Sequence, residues 1–75
     1  MREVSEKVVV ERINRALRPD GEQLRKTRGE RARLDLGDYY VQDVRRNLAL
    51  QTFVDVEALA RELGVLAQYE SVREE

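Results

Sequence analysis

The stretch YYVQDVRRNLALQTFV, Tyr39 to Val54, constrains this chain more than any other, because it reads as two extended segments folded on a tight turn. Arg45, Arg46 and Asn47 form a natural loop, with Asn47 in the left-handed region that Asn tolerates, and Val44 then pairs with Leu48. In that register Tyr40 and Val44 share a face with Leu48, Leu50, Thr52 and Val54, interrupted by Gln42. Tyr39, Val41 and Phe53 fall on the opposite face beside Asp43 and Gln51. An isolated hairpin is marginal in water, so other elements must cover its apolar side.

Two helices are available to do so. Val4, Val8, Val9, Ile13, Ala16 and Leu17 recur at spacings of three and four, which places them on one side of a helix opened by Ser5 as N-cap and Glu6 in the first turn. Three consecutive valines, Val8 to Val10, argue for a strand, but the helical spacing continues from Glu11 to Arg18 and favours the helix. Pro19-Asp20-Gly21 ends it. Near the other terminus Asp55 is placed to cap a helix over about 55–64, with Val56, Leu59, Ala60 and Leu63 as its apolar stripe. Gly64 supplies the left-handed residue after that helix, and Val65 the hydrophobic contact that accompanies such an ending.

Between the first helix and the hairpin the pattern is weaker. A short edge strand near Gln23 to Arg28, an exposed loop and a second extended piece from Arg33 to Leu36 fit best, since Leu34 and Leu36 alternate with Arg33 and Asp35; the alternative is a short helix from Glu22 to Arg28. Gly37-Asp38 marks a turn or bulge before Tyr39. Beyond Tyr69 little remains to bury, and residues 70–75 are expected to fray. The fold class is therefore α+β in a single domain spanning 1–75: an N-terminal helix, a small antiparallel sheet (hairpin about 39–54 plus one or two short edge strands within 22–36) and a C-terminal helix. The expected core is Val9, Ile13, Leu17, Leu48, Leu50, Leu59 and Leu63.

Such a core is small. A chain of this size buries only about 60% of the surface its unfolded state exposes, and a homodimer that extends the sheet would relieve the shortage. Two surfaces offer themselves: the edge near Gln23 to Arg28, and an interface patch of Tyr39, Val41 and Phe53.

The chain contains no Cys and no His. That removes disulfides, thiol chemistry, imidazole metal ligation and both serine–histidine and cysteine–histidine catalysis. Asp35, Asp38, Asp43, Asp55 and Glu57 are the one carboxylate group that could hold a cation or do acid–base work, but Asp38 reads as a turn residue and Asp55 as a cap. The expectation is no catalysis, no cofactor and no metal. No apolar run approaches the roughly 20 residues of a membrane span, so the default is a soluble cytoplasmic protein with no membrane partner.

Charge is balanced overall, with a net of −1, yet unevenly placed. Residues 1–33 carry ten cations against six anions, and residues 34–75 four against nine. The densest basic run, LRKTRGERAR, holds Arg25, Lys26, Arg28, Arg31 and Arg33 around a glycine, a pattern suited to phosphate, and Arg45 and Arg46 at the hairpin tip could join it in contacting nucleic acid or another anion. Against this, the pI near 5.5 lies far below that of dedicated nucleic-acid binders. The expected function is a non-catalytic interaction module, homo-oligomerising or binding a protein partner, with nucleic-acid binding through the 24–33 segment as the alternative.

Overall fold

The computed structural model describes residues 1–73. In chain order these form β1 (Arg2–Ser5), α1 (Glu6–Leu17), a 3-10 turn (Arg18–Asp20), β2 (Glu22–Lys26), α2 (Glu30–Leu36), β3 (Tyr39–Asp43), β4 (Leu48–Gln51), α3 (Val56–Glu62) and β5 (Glu70–Arg73). The class is α+β. There are two sheets: β2, β3 and β4 lie antiparallel in that order, and β1 pairs with β5 in parallel.

The helix caps follow from single residues. Ser5 sits in extended backbone and its Oγ accepts the Val8 N–H at 3.2 Å, while the Asp55 carboxylate accepts the Ala58 N–H at 3.1 Å. Val9, Ile13 and Leu17, four apart, form the buried stripe of α1, so burial of Val9 offsets the propensity cost of the valine run. At the end of α3 the Gly64 N–H bonds the Arg61 carbonyl and the Val65 N–H the Ala60 carbonyl, with Gly64 at φ +74°. This is the paired bonding of a Schellman ending. The core gathers Val4, Val9, Ile13, Leu17, Leu24, Val41, Val56, Leu59, Ala60 and Leu66, with Leu63 packed partly buried against it.

Four expectations are corrected. The run ERARLDL is a helix, not an extended piece: Ala32 and Leu36 lie one turn apart and are half-buried, whereas Leu34 is 80% exposed. The segment Glu70–Arg73 is not frayed but pairs with β1, Arg2 opposite Glu70 through Ser5 opposite Arg73; Glu74 and Glu75, the rest of the expected frayed tail, lie outside the described residues. The chain therefore begins and ends on strands, and α3 is not its last element.

The hairpin register is also shifted, and with it the buried face. Asp43, not Val44, stands opposite Leu48, and the turn has four residues. The Asp43 carboxylate causes this by accepting the N–H groups of Arg45 and Arg46, both at 3.1 Å, while the Val44 N–H bonds the Gly21 carbonyl and so continues the β2–β3 ladder. Asn47 does take a positive φ of 57°. A slip of one residue inverts the faces. Val41, expected on the outer side, is 1% exposed and central, whereas Leu48 and Leu50, expected in the core, are 54% and 49% exposed.

Candidate functional site

The three-stranded sheet has two edges, and they are built differently. β2 is charged along its length, EQLRK, and α1 packs against it. The Asn14 side chain of α1 reaches the strand: its Oδ1 accepts the Leu24 N–H at 2.7 Å and its Nδ2 donates to the Leu24 carbonyl at 3.3 Å. Those are the two backbone groups that Leu24 turns away from β3. One amide thus stands in for a neighbouring strand and closes the edge.

In the two-stranded sheet the β5 edge is closed by side chains as well. Buried Glu70 accepts the Ala67 N–H at 2.9 Å and the Arg12 guanidinium at 3.1 Å. The backbone N–H of Ala67 first, and Arg12 second, hold its carboxyl below the usual value of 4.5 against the opposing effect of burial. Arg61 donates to the carbonyls of Ala67 and Glu70, and Glu57 accepts the Val72 N–H at 2.8 Å. β5 is tied to α1 through Arg12 and to α3 through Glu57 and Arg61.

Among the described residues nothing closes β4 in either way. Its sequence LALQ carries no charge and no proline, and all four residues are exposed. The usual protections of an edge strand are charge, proline, irregular pairing or a covering element. Only irregular pairing is present, in a shift between Val41 and Gln42 that leaves Leu50 as the extra residue. Leu48 lies on the same face of the sheet as Val41, because it stands opposite Asp43, two residues along β3. Leu50, two residues further, continues that face. The core covers it at β2 and β3, where Leu24 and Val41 are buried, and stops before β4. The two leucines form an uncovered apolar margin.

The residues singled out from the sequence are distributed as follows. Of the interface trio, Val41 is core and Tyr39 is half-buried with its hydroxyl donating to Glu6 Oε1 at 2.5 Å. Phe53 alone is widely exposed, at 64%, so the three form no common surface patch. Arg25, Lys26, Arg28, Arg31 and Arg33 are all exposed, at or beyond the far end of β2 and on α2. Arg45 and Arg46 lie at the opposite end, since Glu22 is opposite Asp43 and Lys26 opposite Tyr39. A strand of about 14 Å separates the two basic groups.

A cleft of about 640 Å³ opens between the sheets, its charged lining made of Lys26, Arg33, Glu6, Asp38, Asp55 and Glu57. Its carboxylates are engaged: Glu6 with Tyr39, Asp38 with Arg33 at 3.7 Å, Asp55 as a cap, Glu57 with Val72 and with Arg61 at 3.8 Å. Among the described residues no three carboxylates gather into a metal site. No helix of the described residues is long and apolar enough to cross a membrane. The chain matches no family model, no curated protein and no solved structure.

Sequence reasoning missed Asn14, which reads as one more polar position on a helix, and misassigned Leu48 and Leu50. The signal for the leucines was the absence of charge from LALQ in a chain that is 39% charged.

Proposed function

We propose that this chain is a non-catalytic interaction module that takes another polypeptide strand along β4. The observation that carries the reading is the asymmetry between the edges: β2 is filled by Asn14, while β4 presents backbone that no described residue occupies, beside exposed Leu48 and Leu50. Strand addition uses main-chain hydrogen bonds for affinity and side chains on alternate positions for selectivity. A four-residue uncharged edge with two leucines on one face offers both.

The test compares the wild type with Leu48→Lys/Leu50→Lys by light scattering and by hydrogen exchange at the β4 amides. Both positions are solvent-facing, so the variant is expected to keep its fold and lose association and the protection of β4. Association that persists unchanged in the variant rules this reading out.

The basic end supplies a second reading. Lys26, Arg28, Arg31 and Arg33 cluster where β2 passes through Gly29 into α2, and they fit an anion such as a nucleic-acid phosphate. A gel shift with mixed-sequence DNA and RNA at low salt tests it, and Arg28→Ala/Arg31→Ala/Arg33→Ala is expected to weaken any binding uniformly across sequences.

A further inference from the structure

Resting on the β4 reading, we infer that the strand β4 accepts is β4 of a second copy, antiparallel, with Ala49 facing Ala49 across a two-fold axis. The register follows from which backbone groups are free. Thr27 N–H to Asp38 O and Val44 N–H to Gly21 O bracket the β2–β3 ladder, so even-numbered residues of β3 bond toward β2 and odd-numbered ones toward β4. Asp43 therefore directs its backbone at its partner Leu48, and the next residue, Ala49, directs its N–H and C=O away from the sheet. Ala49 is the position where two copies can exchange a reciprocal pair of hydrogen bonds.

That same register satisfies the side chains. A two-fold axis perpendicular to the sheet keeps each face on its own side, so Leu48 of one copy stands opposite Leu50 of the other, and four leucines join on the uncovered face. No charge opposes a like charge along LALQ. Beyond the strand the turn of one copy runs beside residues 52–54 of the other. Arg45 then meets the exposed ring of Phe53, next to the Asp55 carboxylate, a cation set against an aromatic face and an anion. Phe53 is held out by a positive φ of 53°, an uncommon conformation for a bulky residue, with its N–H on the Leu36 carbonyl at 2.8 Å. The product is a continuous six-stranded sheet in the order β2-β3-β4-β4-β3-β2, closed at both outer edges by Asn14.

The chain has no cysteine, so one introduced cysteine reports alone. Across the proposed axis the two Cα atoms at position 49 lie about 5.5 Å apart, within disulfide reach. Two residues at position 51 lie about 14 Å apart along the same ladder. Under mild oxidation Ala49→Cys is expected to run as a covalent dimer on a non-reducing gel, at several-fold the yield of Gln51→Cys. Equal or absent trapping overturns the register. Light scattering on the wild type and on Leu48→Lys/Leu50→Lys separates the levels. A dimer dissolved by that variant but not trapped by Ala49→Cys overturns this alignment and leaves the β4 reading standing. A wild type that stays monomeric at the highest attainable concentration overturns the second copy as occupant. A dimer indifferent to both variants overturns the β4 reading as well.

Discussion

β2 and β4 are edges of the same three-stranded sheet, yet one is finished and the other is not. β2 carries Glu22, Arg25 and Lys26, lies against α1, and has its central backbone groups taken by Asn14. β4 carries no charge, lies beyond the covered core and keeps its outward backbone unbonded by any described residue. The contrast teaches that this small domain can close an edge with one side chain where closure is wanted. The edge left open in the same sheet is the observation on which the proposed strand addition rests.

The comparison breaks first if Asn14 does not close β2. Leu24 is 2% exposed, so replacing Asn14 with Ala strands a buried N–H and a buried carbonyl. Each such loss costs about 1 to 3 kcal/mol, and together they are expected to lower stability by about 3 kcal/mol, read from the urea midpoint. A loss under about 1 kcal/mol would mean that Asn14 decorates the edge without closing it. The converse variant, Leu48→Lys/Leu50→Lys, measured at a concentration where the chain is monomeric, should cost less than about 1 kcal/mol, because both leucines are about half exposed within one chain.

A smaller effect is expected at the two-stranded sheet, where closure depends on ionisation. The Glu70 carboxyl is held below its ordinary value of 4.5 by the Ala67 N–H and by Arg12. A group whose folded value is depressed contributes stability that is fully present above the unfolded value and disappears as pH falls through the folded one. The wild type should therefore lose stability as pH drops below about 4.5, and Glu70→Gln should remove that part of the slope. Urea titrations of both proteins between neutral pH and acid check this. Identical slopes would show that the Arg12–Glu70 pair at 3.1 Å does not hold β5 in place.

What could be read from the residues, and what could not, divides along the same physical line. Local rules held: Ser5 and Asp55 cap their helices, Gly64 ends α3, β2 is an edge strand, and Val9, Ile13, Leu17 and Leu59 are core. The misses were non-local or off by one position. REVS and ESVR are four residues each and nearly seventy residues apart, so neither announces a parallel pair without the other. ERARLDL alternates like a strand, and only packing shows that Ala32 and Leu36 are the pair that matters. The turn was placed correctly, but the Asp43 carboxylate added a residue to it, and that exchanged which side of β3 is buried. The open edge was hidden for another reason: Leu48 does share the face of buried Val41, but the core stops before β4, which no local pattern announces.

The last prediction concerns a flaw in the finished side. Thr27 follows β2, its N–H bonded to the Asp38 carbonyl at 2.8 Å, and its side chain is buried with no hydrogen-bond partner for Oγ1 among the described residues. A buried hydroxyl left unbonded costs on the order of 1 kcal/mol or more, and valine has nearly the same shape without that requirement. Thr27→Val is expected to raise stability by about 1 kcal/mol, a gain of roughly 4 to 8 °C in melting temperature for a domain of this size. No change, or a loss, would mean that the hydroxyl is satisfied, and the β2 end would then be sealed as completely as its centre. A gain leaves Asn14 as the element that closes this edge, and makes the bare backbone of β4 a difference in degree of finish along a single sheet.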